Sequence, residues 1–272
     1  MRSIILAAVA AAALAGPAAA THIPAVFSGT AADPDGLRPL VDEFRDALGP
    51  LNAPQPLNVI SGGRRQIDWD AAPDFVSDPN PFPGDFFNFP AFPRARGIEF
   101  RETGSTTGFE LSANEGSGTP PLFDLDTDFQ AFSPQRIFRP VGGDTFDVLF
   151  FNPAKPDERA TSTGLGVVFT DVEQEFSTFM EFFDADGDLL ASEFVETAGD
   201  TELSFLGLIY DAPIVSRVSI TAGLFGDNVA MDDFIFGEPT PSQNVPLPAA
   251  GWMLMAGLGG LVAARRARRP VA

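Results

Sequence analysis

One acidic run in the chain has the spacing of a calcium-binding loop, and its carboxylates belong to Asp184, Asp186 and Asp188. When Gly187 takes the glycine position of the helix–loop–helix calcium motif, these carboxylates fall on alternating ligand positions and Glu193 falls on the closing one. Phe182, which has no side-chain oxygen, occupies the first ligand position, and the flanking residues have strand character. A hairpin turn at Asp-Gly with solvated acids is therefore the simpler interpretation, and calcium binding is the alternative.

Other side chains with oxygen ligands lie in or beside predicted strands and offer a second way to bind calcium, at one edge of the fold. These candidates are Asp171, Glu173, Asp227, Asn228, Asp232 and Asp233. Sequence spacing alone does not bring them together in space. We therefore expect no cofactor, with calcium as the alternative.

The residue types that most catalytic sites need are scarce. The chain has no cysteine, which excludes disulfides, Cys-ligated zinc, iron–sulfur clusters and a cysteine nucleophile. His22 is its one histidine, so a Ser-His-Asp relay or a histidine-rich metal site would have to involve the start of the chain. Among 37 acidic residues, no pair stands out as the carboxylates of a glycosidase. We expect a non-catalytic protein, with a secreted polysaccharide hydrolase as the minor alternative.

Charge is unevenly distributed along the 272 residues. The formal net charge is −20, which argues against a nucleic-acid-binding protein because phosphate binding needs a cationic surface. All 37 acidic residues lie in 21–244 together with 12 of the 17 basic ones, whereas 1–20 and 245–272 contain bases and no acids. The sequence therefore predicts an acidic body between two basic ends.

The first 20 residues have the three parts of a cleaved secretory signal. Arg2 precedes an apolar run at 4–15 that is too short to span a bilayer, and Ala18-Ala19-Ala20 provides a small-residue cleavage site. We expect signal peptidase to cut after Ala20, with Ala25 as the fallback position. The acidic body would then be exported.

The last segment has the organisation of a membrane stop. It opens with a motif formed by Val245, Pro246, Leu247, Pro248 and Ala249, after which an uncharged apolar run continues to residue 264. A basic cluster follows directly, and its members are Arg265, Arg266, Arg268 and Arg269. The positive-inside rule places this cluster in the cytoplasm, so that the tail is anchored in the inner membrane and the acidic body lies outside.

This ordered combination of motif, apolar helix and arginine cluster resembles the VPLPA-type PEP-CTERM sorting signals of Gram-negative bacteria. The resemblance covers residues 245–272. It implies that a membrane-embedded exosortase-type transpeptidase recognises residues 245–249, cuts near them, and frees or re-anchors the exported body. An ordinary single-span anchor is the alternative.

Between these ends the sequence predicts a mainly β body with one helix. Apolar spacing places the helix before Gly49, with one face formed by Leu37, Leu40, Val41, Phe44 and Leu48. A short strand is predicted at 64–70, and the proline- and phenylalanine-rich segment 79–93 should be an ordered loop whose rings cover the core. A ligand platform formed by these rings is the alternative. Further strands are predicted at 98–103, 109–113, 135–139, 145–151, 164–171, 178–184, 189–196, 202–210, 216–221 and 229–236.

This spacing of strands is typical of a single β-sandwich or jelly roll. Residues 98–239 resemble the galactose-binding-like β-sandwich ectodomains of other exported bacterial proteins with such tails, which implies the fold without implying a ligand. The expected organisation is a signal peptide (1–20), an N-terminal helix and extension packed on the sandwich (21–96), the sandwich core (97–239), a linker (240–244) and the sorting tail (245–272).

Taken together, these features predict an exported cell-surface, envelope or extracellular-matrix protein that is processed at its C-terminal sorting signal. The C-terminal transmembrane helix would anchor it until processing. The alternative is a calcium-assisted carbohydrate-binding module acting in exopolysaccharide or biofilm. The expected partners are signal peptidase, the exosortase-type transpeptidase and, for the alternative, an extracellular polysaccharide.

Overall fold

The computed structural model describes residues 22–55, 60–113, 129–133 and 136–242. The predicted signal cleavage at Ala20, the sorting motif at 245–249 and the arginine cluster at 265–269 lie outside these residues. Within the described part, no helix combines the length and the apolar character that crossing a membrane requires.

The described chain contains one α-helix and two short 3₁₀ helices, Asp74–Val76 and Leu224–Gly226, and is otherwise built from strands and turns. The helix, α1, spans Pro34–Leu48. The strands in chain order are β1 (Ala25–Ala31), β2 (Arg64–Ile67), β3 (Ile98–Glu102), β4 (Gly108–Leu111), β5 (Phe138–Val141), β6 (Thr145–Asn152), β7 (Lys155–Thr161), β8 (Gly164–Thr170), β9 (Phe179–Phe183), β10 (Leu189–Phe194), β11 (Leu203–Ile209), β12 (Arg217–Thr221), β13 (Ala230–Gly237) and β14 (Thr240–Pro241).

These strands form two antiparallel sheets of seven strands each, which confirms the predicted mainly β class. The first sheet has the order β1-β11-β8-β13-β5-β4, and β2 also pairs with β13. The second has the order β10-β9-β12-β6-β7-β14, and β3 pairs with β6. The main apolar core combines residues from both sheets, including Val167 of β8 and Val148 of β6.

Aromatic rings fill much of this core. Trp69 stacks on Phe138 with ring centroids 4.5 Å apart and meets Phe234 edge-on at 5.4 Å. All seven residues of β8 are buried, because the core covers one face of this strand and α1 covers the other. Because both faces of β8 are buried, its sequence is a continuous apolar run and does not alternate between apolar and polar residues.

Helix α1 lies on the outer face of the first sheet. Asp33 caps its first turn by accepting a hydrogen bond from the Gly36 N–H at 2.8 Å. Phe44 packs over Gly166 and Gly207, neighbours on β8 and β11 whose missing Cβ atoms leave room for the ring. The predicted helix is confirmed, and its buried residues are Leu37, Val41, Phe44 and Leu48.

Several strands differ from the prediction. The sequence did not reveal β1 or β7, because β1 is an edge strand with mixed exposure and β7 carries mostly polar residues. The strand predicted at 64–70 ends at Ile67, since Trp69 has a left-handed backbone conformation with φ of 64°. Two strands from the predicted N-terminal extension, β1 and β2, are hydrogen-bonded into the first sheet.

The proline-rich segment 79–93 forms turns and one isolated bridge, as the prediction of an ordered loop requires. Its buried rings, which do cover the core, are Phe82, Phe86 and Phe87. Phe89 and Phe92 are 46% and 66% exposed, so the prediction of a covering role is wrong for these two rings. The segment therefore combines core packing with an exposed aromatic surface.

Gly207→Ala should lower the free energy of unfolding by about 1–3 kcal/mol, because the new Cβ would lie 2.6 Å from the Phe44 ring. Gly108→Ala is the matched control, since a Cβ at that position meets nothing within 4 Å. Urea unfolding followed by far-UV circular dichroism measures both variants. Equal unfolding free energies would contradict the close packing of helix on sheet.

Candidate functional site

A β-bulge on β13 brings two adjacent acids to one place. Met231 pairs with Phe169 but Phe234 pairs with Val167, so β13 has one residue more than β8 over this stretch. Adjacent residues of a regular strand point to opposite faces, whereas a bulge redirects a side chain. Ser133 accordingly contacts both carboxylates of the bulge, those of Asp232 and Asp233.

Asp232 ties the segment 129–133 to the first sheet. Its Oδ2 accepts hydrogen bonds from the backbone N–H groups of Phe132 and Ser133 at 2.6 and 2.9 Å, and its Oδ1 accepts one from the Ser133 hydroxyl at 3.1 Å. Its backbone carbonyl accepts from the Trp69 indole N–H at 2.9 Å. Burial raises the pKa of Asp232 well above its usual range, and the charge of Asp233 adds to that shift.

Asp233 ties helix α1 to the same strand. Its Oδ2 accepts a hydrogen bond from Arg45 Nη2 at 2.5 Å, and its side chain is 2% exposed. Burial raises the pKa of Asp233 to about 6, against the opposing effect of the Arg45 guanidinium. Both aspartates were calcium candidates by sequence, but their oxygens here accept hydrogen bonds from the protein itself.

A third buried acid follows at the end of β13. Glu238 receives two hydrogen bonds from Arg65, Nε to Oε2 at 2.7 Å and Nη2 to Oε1 at 2.8 Å, and a third from the Asn52 amide. Both side chains of the Arg65–Glu238 pair are almost fully buried. We call these three contacts, made by Asp232, Asp233 and Glu238, the β13 latches.

The acidic run at 184–188 forms the turn of the β9–β10 hairpin, as the simpler interpretation predicted. Asp184 Oδ1 accepts hydrogen bonds from the N–H groups of Asp186 and Asp188, both at 2.9 Å. Gly187 has a φ of 88°, a conformation that favours glycine. The carboxylates of Asp186 and Asp188 are exposed, so the structure uses only that of Asp184 to build the turn.

A different group of acids converges where β8 ends. Carboxylate oxygens of Asp171, Glu173 and Asp200 all lie within 4.8 Å of one another, and we call this group the acidic cluster. Asp171 is buried, with Oδ1 accepting a hydrogen bond from the Thr201 N–H at 3.0 Å. Burial raises its pKa to about 6, and the charges of the neighbouring acids add to the shift. Asp200 was not among the sequence candidates.

Asp227 lies beside the acidic cluster. Its Oδ2 accepts hydrogen bonds from the Ser177 hydroxyl at 2.6 Å and from the Gln174 N–H at 3.3 Å. Its Oδ1 is buried and has no hydrogen-bond partner among the described residues. Asn228, the next sequence candidate, is exposed and lies 3.4 Å from Arg139, between Oδ1 and Nη1.

An aromatic pocket of about 260 Å³ opens beside the proline-rich segment. Phe75, which lines it, is 72% exposed. The Arg94 guanidinium lies 4.2 Å from the Phe86 centroid and 4.4 Å from that of Phe89. Asp68 adds a carboxylate to the lining. Sequence patterns did not predict this pocket, because its walls come from separate turns.

The two ends of the described body lie together. His22 and Ser242 line one cavity, which the 184–188 hairpin also borders, and His22 Nδ1 is 3.0 Å from an Asp211 carboxylate oxygen. We call this the tail end. Thr161, which precedes β8, also lines this cavity, whereas the acidic cluster follows the last residue of β8, a seven-residue strand that is about 20 Å long.

Comparison of the chain with known protein families, with curated proteins and with solved structures finds no match. The functional conclusion therefore depends on the residues described above. The β13 latches join parts of the body to one another. The acidic cluster and the aromatic pocket each include exposed side chains, which a ligand can reach.

Arg45→Met should lower the free energy of unfolding by about 3–5 kcal/mol, because it leaves the Asp233 carboxylate buried without its cation. Arg38→Met is the matched control on the same helix. The guanidinium of Arg38, like that of Arg45, lies over the Phe132 ring, but its ionic partner Asp35 is exposed and lies 3.9 Å away. The control should lose about 0–1 kcal/mol. Urea unfolding measures both, and equal losses would contradict the assignment of Arg45 as a latch residue.

Asp70→Asn should gain stability relative to the unchanged protein as the pH rises. Burial raises the pKa of Asp70 to about 6, with Asp68 and Asp233 adding to the shift and Arg136 opposing it. A carboxyl with a raised folded-state pKa contributes its full stability below a pH of about 4 and loses it as the pH passes about 6. Urea unfolding at about pH 3.5 and about pH 7.5, values on either side of this range, measures the difference. A difference independent of pH would be the contrary result.

Proposed function

We propose that this protein is an exported, non-catalytic envelope or cell-surface protein, held in the membrane by its C-terminal tail and then processed there. Signal peptidase would remove residues 1–20 and an exosortase-type transpeptidase would act near residues 245–249. The acidic body, with a galactose-binding-like β-sandwich fold, is the cargo. Two antiparallel seven-stranded sheets around one core support that finer fold assignment.

The observation that supports this proposal most is the position of the two ends of the body. His22 and Ser242 line the same cavity, so the segments that precede and follow the body leave it at the tail end. A body connected in this way can be attached through its tail while the opposite end faces away from the membrane.

The charge distribution also supports the proposal. The acid-free ends carry basic residues, whereas residues 21–244 carry all 37 acids. Basic residues next to an apolar segment remain on the cytoplasmic side. A strongly acidic body on the outer side is soluble and repels anionic surfaces.

The aromatic pocket favours a second candidate function, the calcium-assisted carbohydrate-binding module. Concave apolar sites with a few polar groups are the usual form of ligand sites. Here Phe75 offers an exposed ring, while Arg94 and Asp68 supply polar groups at the rim of the same pocket. A glycan array on the full chain, which gives bound glycans only for this candidate, separates it from the first.

Intact-mass analysis of the full chain, recovered from the envelope of a Gram-negative host that has an exosortase-type transpeptidase, tests the proposal. We expect a mass that lacks residues 1–20 and the tail. Replacing both motif prolines, Pro246→Ala with Pro248→Ala, should preserve the tail, because the recognition sequence is lost. Pro213→Ala, at an exposed proline of the body, is the control and should be processed normally. Full-length protein in the cytosol, with both ends intact, would contradict the proposal.

A further inference from the structure

The acidic cluster is held in place by the pairing of β8 with β11. Thr170, the last residue of β8, pairs with Leu203, the first residue of β11. Asp171 follows the first strand and Asp200 precedes the second, so the sheet brings the two acids together. Two hydrogen bonds close the junction: the Asp171 N–H donates to the Glu202 carbonyl at 3.0 Å, and the Thr201 N–H donates to the Asp171 carboxylate at 3.0 Å.

The electrostatics of the cluster are unbalanced. The charged groups that act most strongly on Asp171 are Glu173, Asp200 and Asp227, and all three are acids. Like charges at this separation repel one another, and repulsion is strongest where burial removes water, as at Asp171. A bound cation would replace this repulsion with attraction.

Asp227 provides a second observation beside the cluster. Its side chain is more than nine-tenths buried, yet one carboxylate oxygen, Oδ1, has no hydrogen-bond partner among the described residues. A buried charged oxygen without a partner is costly, and an unseen ion is one of the standard explanations. The other oxygen is held by the N–H of Gln174, which follows Glu173, so Asp227 belongs to the same loop region as the cluster.

We propose that Asp171, Glu173 and Asp200 bind one calcium ion, with the buried carboxylate of Asp227 beside them. Carboxylate oxygens suit calcium, magnesium and manganese alike, but calcium accepts the irregular, partly hydrated shell that two loops provide, whereas magnesium demands near-ideal octahedral geometry. Calcium–oxygen distances are about 2.4 Å, so two ligands on opposite sides of the ion lie about 4.8 Å apart. The three carboxylates offer oxygens that lie within 4.8 Å of one another, so one ion can contact all of them.

The ion would join the loop after β8 to the loop before β11 at the end of the body opposite the tail end. Two of the three acids, Glu173 and Asp200, are exposed, so water would complete the shell. Exposed sites of this kind in extracellular modules have a Kd of about 10⁻⁴–10⁻³ M. Calcium binding in vitro does not depend on the proposed sorting route, so each proposal can fail without the other.

Equilibrium dialysis of the full chain in detergent against calcium tests the site. We expect one ion per chain with a Kd near the range above, and an at least tenfold weaker affinity for Glu173→Gln and for Asp200→Asn. Both substitutions are at exposed positions, so they avoid the folding risk of changing the buried Asp171. Unfolding midpoints with and without calcium provide a second readout, because an ion bound only to the folded protein raises the midpoint.

The matched control is the double variant Asp186→Asn with Asp188→Asn, which removes two exposed acids from the hairpin at the tail end. It should bind calcium with unchanged affinity. Binding lost in this control but preserved in Glu173→Gln and Asp200→Asn would move the site to the hairpin and overturn the proposal. No binding at about 10⁻² M calcium, well above the expected Kd, would overturn it as well, as would equal weakening in all three variants.

Discussion

The body depends on three buried acids, two in strand β13 and one directly after it. Buried carboxylates are costly unless donors surround them, and each of these acids satisfies that requirement with a different part of the chain. Asp232 binds the segment 129–133, Asp233 binds the helix through Arg45, and Glu238 binds β2 through Arg65. Because β13 also lies in the middle of the first sheet, these latches hold the segment 129–133, the helix and β2 to the centre of that sheet.

The buried acids that stabilise the fold lie apart from the exposed groups that a ligand can reach. The latches are internal, and their charges are neutralised or hydrogen-bonded within the protein. The acidic cluster formed by Asp171, Glu173 and Asp200 lies beyond one end of β8, and the cavity at the tail end lies beyond the other. A body attached through its tail would therefore present the acidic cluster on the side away from the attachment.

Local patterns in the sequence predicted the parts of the fold that depend on local physics. The apolar face of α1, where burial repeats at helical spacing, and the continuous apolar runs that form β8 and β11 are examples. The bulge at Asp232 and the left-handed turn at Trp69 depend on partners far along the chain. The same is true of the acidic cluster: Asp171 and Glu173 were candidates, but only the pairing of β8 with β11 brings Asp200 to them.

The hydrogen-exchange rates of backbone amides in the full chain test most directly whether the β13 latches hold the body together. The backbone N–H groups of Phe132 and Ser133 lie outside any helix or strand, and both donate to the Asp232 carboxylate. If that buried carboxylate holds the segment to the sheet, these two amides should be as protected as those of β8, and should open only with the whole body. Exchange at the rate of an open loop, with β8 still protected, would contradict the account.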